Sequence, residues 1–410
     1  MLKKSRRLAH PVIGHPTFVF VSLWALVLLL SSLQLVDVFA NHMDAVYTLS
    51  ILVIAANICG AATAAVLFPY RPLAATDKPV YFRKISTIFF WWALISIVET
   101  IAARGLPIVW LLTGDSRTYA DFGLPTLHGF ANAMWLFLSF AQFAQVADGR
   151  RGIRDTFVLA LLVCWPILVV SRALFTIWIL QISIYLLITS RNKLIKILPP
   201  ASLIATAFFY AFGLVGDARS PEFSIASALG FDLHDGTAMV FLWAYAYIVS
   251  PLANLALGWE TMLPGYPIFP ENTFSELLPS IVKSVLGFEK TFEGYAVLTH
   301  GAFNVGTAFL GAYYDWGGGG IILMAFLIGL AGHLVWRCAR NPAKLPLLAA
   351  YCACTALTVF TNQFTQLVPL VYMLLLAKLT VSSSKRIAFP RNIELGNVNT
   401  RLINSSQTFQ

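Results

Sequence analysis

The sequence predicts an all-α polytopic membrane protein of about ten transmembrane helices with one large loop on the outer side, and three observations predict it. Of its 410 residues 58% are hydrophobic and 11% charged, and the mean hydropathy is +0.74, whereas soluble globular chains carry about 25% charged residues. Apolar runs close to the roughly 17 to 25 residues that a bilayer-crossing helix needs recur along the chain. Lys and Arg are divided among the connecting segments with the asymmetry that orients helical membrane proteins. Together these exclude a soluble enzyme, a disordered chain and a collagen-like fibre. The formal net charge of +9 does not signal a nucleic-acid partner, because here the location of charge matters more than its sum.

The spans lie near 17–39, 46–68, 85–103, 127–147, 156–171, 173–189, 199–215, 318–336, 345–361 and 366–381. The first follows Lys3, Lys4, Arg6 and Arg7 in the manner of a signal peptide. It is longer than an h-region of about 7 to 15 residues and lacks a convincing cleavage site, so it reads as a retained span. With both termini cytoplasmic, 22 of the 28 Lys and Arg fall on the inner side. The outer six are Arg104, Arg117, Arg172, Arg219, Lys283 and Lys290, while fourteen of the 19 acids are outer.

Four parts follow: an N-terminal membrane half of seven spans (1–215), a large outer loop (216–317), a C-terminal membrane part of three spans (318–386) and a flexible cytoplasmic tail (387–410). The loop carries ten acids against three bases. Its apolar run near 237–257 therefore reads as a helix lying in or re-entering the outer interface. The alternative is a twelve-span chain in which this run and one near 295–312 both cross. Pro and Gly at Met262-Leu263-Pro264-Gly265-Tyr266-Pro267 and at Phe269-Pro270-Glu271-Asn272 predict turns between short helices. Loops of this length usually carry function.

Four outer arginines sit close to span ends, where positive charge is otherwise scarce. Arg172 is the most informative, because residues 156–189 make two short spans with Ser171-Arg172 at the hairpin tip, holding the guanidinium at or just below the headgroups. An Arg so placed is costly unless it meets an anion, and its planar fork suits diphosphate oxygens. Arg219 and Arg117 are candidates of the same kind; for each the alternative is a guanidinium snorkelling beside lipid headgroups. Asp217 either orients Arg219 or acts as a base. Tyr119 lies between Gly and Pro turns in 113–125, a loop suited to sugar. His234 and His300 are outer histidines able to take a proton near neutral pH. Ionisable residues within the membrane are few, Glu99 in the third span and His333 near the inner end of the eighth, where a proton-coupled transporter usually shows more. The five cysteines have no partner at metal-ligand spacing, and no nucleotide fingerprint is present, so neither metal nor cofactor is expected. The glycines Gly317 to Gly320 read as close packing or a turn.

Several segments resemble, in order, the bacterial oligosaccharide repeat-unit polymerases (O-antigen polymerase, Wzy type). They are Ser116-Arg117-Thr118-Tyr119 with Gly123-Leu124-Pro125, Ser171-Arg172, Phe212-Gly213 with Gly216-Asp217-Ala218-Arg219, Tyr247 to Leu255, and Asn304-Val305-Gly306-Thr307 leading into Tyr313-Tyr314-Asp315-Trp316-Gly317. The resemblance covers roughly residues 85–381 and departs at Trp316, where Phe is expected. It implies a metal-independent inverting glycosyltransferase with a GT-C-like fold in the bacterial inner membrane. The site would face the periplasm, and the growing glycan would move from undecaprenyl diphosphate to the non-reducing end of another lipid-linked repeat unit. It assigns Arg172, Arg219 and Arg117 to the diphosphate, with Tyr119 near lipid or sugar. Asn254 and Asn304 become ligand or loop-ordering groups. His300 is the first choice of base, with Asp217 and Asp315 in reserve. A chain-length regulator and a repeat-unit flippase are the partners it implies beyond lipid-linked oligosaccharides and the bilayer. The competing readings are an O-antigen ligase-like transferase and a polysaccharide flippase or transporter.

Overall fold

The computed structural model describes residues 14–36, 39, 41–69, 80–147, 152–189, 199, 236–287, 297–299, 303, 305–339 and 341–382. In chain order the helices are α1 (Pro16–Ser31), α2 (Met43–Leu67), α3 (Ile85–Ala102), α4 (Pro107–Thr113), α5 (Leu127–Ala147), α6 (Ile153–Leu168) and α7 (Arg172–Thr189), followed by α8 (Gly236–Thr261), α9 (Glu271–Phe274), α10 (Ser280–Leu286), α11 (Leu310–Cys338), α12 (Leu345–Ala356) and α13 (Leu367–Leu379). Among the described residues six helical stretches are long and apolar enough to cross a membrane: Met43–Leu67, Ile85–Thr113, Leu127–Ala147, Arg172–Thr189, Leu310–Cys338 and Pro342–Val359. Pro16–Ser31, Asp155–Leu168 and Leu367–Leu379 are shorter apolar helices. The chain is a helical membrane protein. Residues 200–215 of the apolar run 199–215 lie outside the described residues.

Helices that are apolar all round bury one side in the bundle and leave the other to lipid. In α2, Val53, Ala56, Asn57, Gly60, Ala61 and Ala64 are buried, while Ile51, Ile58, Val66 and Leu67 are exposed. The buried side is a row of small residues, which lets backbones approach where lipid gives no hydrophobic drive for association. A Cβ placed on Gly60 would stand 2.0 Å from the Phe326 carbonyl oxygen of α11, and one on Gly329 2.0 Å from that of Asn57. Asn57 Nδ2 donates to the Ala325 carbonyl across the same seam at 3.2 Å. Among the described residues one large core cluster lies around Trp135, Phe137 and Phe140 and another around Phe20, Trp24 and Phe309.

At one end of the bundle, β1 (Val80–Phe82) pairs antiparallel with β2 (Thr380–Ser382), a short ladder that the apolar pattern did not foretell. His15 caps α1 at this end, accepting the Thr17 N–H on Nδ1. Its Nε2 therefore carries the proton and faces His333 Nδ1 at 3.3 Å, which accounts for a histidine inside α11. The opposite end carries the connections 32–36, 41–42, 103–126, 169–171 and 357–366, and it is the site end.

Three features of the site end differ from a bundle of straight spans. First, α1 stops at Ser31 rather than near 39: the Ser31 and Ser32 hydroxyls bond back to Val27 and Leu29, and Gln34 takes φ +48°. Second, the run at 237–257 is part of one 26-residue helix, α8. Leu35 donates its N–H to the Tyr245 hydroxyl at 3.2 Å and His42 pairs with Glu260 at 2.5 Å, so α8 runs over the α1–α2 connection.

Third, α11 is two helices. Trp316 and Gly317 are non-helical, and Gly317 at φ +59°, ψ −148° has a backbone that a side chain would strain. The chain folds back there, because a Cβ on Gly320 would meet the Ala312 carbonyl oxygen at 2.1 Å. At the foot of this hairpin Phe309 packs on Trp24 with ring centroids 5.5 Å apart, and Ala308 donates its N–H to the Thr358 carbonyl at 2.8 Å. Trp24 Nε1 donates to Thr358 Oγ1, and Trp24 lies about 10 Å of helical rise before the end of α1. Irregular backbone at 305–309 therefore lies inside the bundle, which a membrane tolerates only where protein or a cavity encloses it.

Replacing Gly60 or Gly329 with Val pushes a side chain into a backbone oxygen across the α2–α11 seam. The expected cost is about 3 kcal/mol, read as a lower thermal midpoint of the detergent-solubilised protein. An unchanged midpoint contradicts the packing described.

Candidate functional site

Three consecutive residues on the rising limb of the α11 hairpin hold the described parts of the large loop. Tyr313 donates its hydroxyl to the carbonyls of Trp259 (3.1 Å) and Met262 (2.7 Å), closing the end of α8. Tyr314 accepts the Gly265 N–H on its carbonyl at 2.8 Å and the Val297 N–H on its hydroxyl at 3.3 Å. Asp315 has no exposed surface and accepts four hydrogen bonds. They come from Asn272 N (3.2 Å), Asn272 Nδ2 (2.9 Å), Thr273 N (2.8 Å) and Thr273 Oγ1 (2.6 Å). The carboxylate thus sits at the first turn of α9, where N–H groups would otherwise be orphaned. Every donor it meets belongs to the loop, so Asp315 is an anchor in this arrangement and not a base open to an acceptor hydroxyl.

Asn254 does the same for the descending limb. It is fully buried in α8. Its Nδ2 donates to the carbonyls of Phe303 (2.7 Å) and Val305 (2.9 Å), and its Oδ1 accepts from Thr299 N (2.9 Å) and Thr299 Oγ1 (2.8 Å). Of the two roles open to it in the sequence, ordering a loop is the one that its hydrogen bonds serve. Asp217, Arg219, His234, His300 and Asn304 lie outside the described residues.

The 103–126 connection packs beside these elements, since Ile281 at the start of α10 donates its N–H to Thr126 Oγ1 at 3.5 Å. Here the Arg117 side chain, still partly exposed, is engaged within its own connection. Its Nε and Nη2 reach the Asp115 carboxylate at 3.2 and 2.7 Å, Nη1 donates to the Ala103 carbonyl at 2.7 Å, and the guanidinium stands 4.3 Å over the Trp110 ring. The fork expected to meet a diphosphate is closed on Asp115. These bonds hold the Asp115 carboxyl well below its usual range, at about 2. The pair is therefore complete above the ordinary carboxylate value and is lost only as pH falls through about 2. Asp121 takes the N–H and hydroxyl of Thr118, which lowers its carboxyl as well and fixes the turn carrying the exposed Tyr119.

Glu99 is wholly buried one turn before the end of α3. It accepts the Leu124 N–H at 3.1 Å and pairs with His128 Nδ1 at 3.2 Å. Gly123 has φ +104°, and a Cβ there would lie 2.5 Å from the His128 ring, so glycine is required. His128 escaped the sequence reading; the signal was available, because a carboxylate within a span needs a partner and His128 opens the next span.

Arg172 begins α7 and is exposed on the hairpin that α6 and α7 form. These helices of 16 and 18 residues rise about 24 and 27 Å, short of a hydrocarbon layer of roughly 30 Å. Trp165, near the end of α6, packs against Phe122 with ring centroids 6.4 Å apart, which puts the Arg172 hairpin beside the 103–126 connection. Gly317 makes the hairpin turn and Gly318 packs against Trp259, so these two glycines serve shape and packing.

The fold and this site define the class: a helical membrane protein whose polar side chains knit a set of loops over one end of its bundle. No protein-family model matches the chain, and neither does any curated protein or solved structure.

Replacing Asn254 with Leu strips the carbonyls of Phe303 and Val305 and both donors of Thr299 of their partner, and Asn254→Asp turns a carboxylate toward two carbonyls. Either change is expected to destabilise the protein by about 2 to 4 kcal/mol, seen as a lower thermal midpoint and earlier proteolysis within 297–305. Wild-type resistance in Asn254→Leu contradicts the assignment.

Proposed function

We propose that the protein is an oligosaccharide repeat-unit polymerase: a ten-span, GT-C-like inverting glycosyltransferase of the bacterial inner membrane whose site end faces the periplasm. The observation that carries the reading is Arg172. It is the first residue of an 18-residue helix at a short hairpin, where the positive end of the helix dipole adds to the guanidinium. A cation at that terminus works against the helix, whereas the two together favour an anion. A lipid diphosphate reaches this level by its nature, with its chain in the bilayer and its charges at the interface.

In the proposed reaction the acceptor sugar hydroxyl attacks the anomeric carbon of the donor glycan from the face opposite the diphosphate. The new glycosidic C–O bond forms as the C–O bond to the diphosphate breaks, and the electron pair leaves on the diphosphate. Arg172, with Arg219, stabilises the charge that grows there, more in the transition state than in the ground state. The hydroxyl proton passes to a base. His300 is the candidate, and it follows Thr299, whose N–H and hydroxyl are both held by Asn254. Arg117, closed on Asp115, supports the loop that carries Tyr119. Glu99, committed to Leu124 and His128, weighs against a proton-relay transporter.

The test is the size profile of surface polysaccharide from cells lacking the protein and rescued with wild type, Arg172→Ala or Arg172→Lys. Wild type should restore a ladder of chain lengths. Arg172→Ala should leave core bearing a single repeat unit, with the protein still in the membrane, and Arg172→Lys should restore little because it lacks the fork. A full ladder from Arg172→Ala removes the assignment of Arg172, and loss of even the single unit in the null strain points to ligation or export instead.

A further inference from the structure

The loop between α8 and α9 exposes apolar side chains at a defined level of the molecule. From Thr261 to Pro270 there is no charged residue, and Leu263, Tyr266, Ile268 and Phe269 are all exposed, Leu263 and Ile268 almost completely. In a helix facing lipid this would be ordinary. This backbone is not helical, and it is held rigidly: Met262 O accepts from Tyr313, Gly265 N–H donates to Tyr314 O, and Asn272 and Thr273 close on Asp315.

The level of the loop follows from α11. The Arg337 guanidinium lies 5.5 Å over the Phe68 ring at the far end of the bundle. From there back to Gly318 is about 20 residues, or about 30 Å of helix, the thickness of a hydrocarbon core. Gly317 therefore sits at one edge of the apolar layer when Arg337 sits at the other. A Cβ on Gly317 would lie 3.1 Å from Pro264 and 3.2 Å from the Tyr266 hydroxyl, so the loop is at that edge too. Prolines at 264, 267 and 270 remove three backbone donors that lipid could not satisfy. Tyr266 is of the type that settles at the headgroup boundary.

We propose that residues 262–269 form a lipid-inserting loop, with Leu263, Ile268 and Phe269 seated in the interface of the adjacent leaflet. The partner is the bilayer surface itself, and the inference stands apart from the reaction proposed above. Through Gly265 and Asn272 the inserted loop is tied to Tyr314 and Asp315, which fixes the level of the site relative to the lipid.

The test places a single environment-sensitive fluorophore on Ile268→Cys, and separately on Leu263→Cys, in full-length protein whose exposed Cys59, Cys164 and Cys338 are replaced by Ala. Tyr119→Cys, on the charged 115–121 turn, is the aqueous reference. The protein is reconstituted in phosphatidylcholine and phosphatidylglycerol vesicles. Emission from positions 263 and 268 should be blue-shifted relative to position 119, quenched by lipid carrying a nitroxide near the headgroup and protected from aqueous iodide. If both positions are quenched by iodide as strongly as position 119 and are indifferent to nitroxide lipid, the loop faces water and the proposal is wrong.

Discussion

The buried carboxylate of Asp315 is the interaction on which the described site end depends. A carboxylate is stable away from water only when its lone pairs are met, and Asp315 is met by four donors from two adjacent residues of the loop. Tyr313 and Tyr314 fasten the segments on either side. A membrane protein cannot leave irregular backbone loose at the bilayer edge, because unpaired polar groups there are costly. Side chains on short stretches of helix supply what a continuous helix would have supplied internally. Gly311 permits the approach, since a Cβ at that position would stand 2.4 Å from the Asn272 carbonyl oxygen.

The same economy appears in the first half of the molecule. Glu99 pins the start of the α5 segment through Leu124 and His128, and Asp115 with Arg117 ties the turn after α4 to the carbonyl end of α3. In both places a charged group that looks available in the sequence is committed to shaping a loop. Arg172 stands at a helix N-terminus, where its charge gains nothing from the dipole. That placement, at the tip of a short hairpin, is what makes it the centre of the functional proposal.

Much of the architecture was legible in the sequence because apolar length is a direct consequence of bilayer thickness. Helices α2, α3, α5, α6 and α7 begin and end within about three residues of the apolar runs. The failures have physical causes. The first helix ends early because serine hydroxyls compete for its last carbonyls, an effect invisible to hydropathy. The apolar run at 318–336 does not disclose the folded-back limb at 310–315, since a reversal at Trp316-Gly317 leaves no mark on composition beyond the glycines. Within the candidate site, residue types were readable and partners were not. Asp315, Arg117 and Asn254 are chemically loaded residue types in the sequence, yet only the fold reveals that each faces another part of the chain. The short β1–β2 ladder went unseen because three-residue strands carry no periodicity.

The central claim is that Tyr313, Tyr314 and Asp315 hold the loop as one unit, and hydrogen exchange tests it most directly. Amide exchange is compared, by peptide, between the wild-type protein and Asp315→Ala in lipid nanodiscs. The account predicts faster exchange together around Gly265, Thr273 and Thr299, with α2 unchanged. Faster exchange confined to residues 271–274, with the segments around 265 and 299 as protected as before, contradicts it.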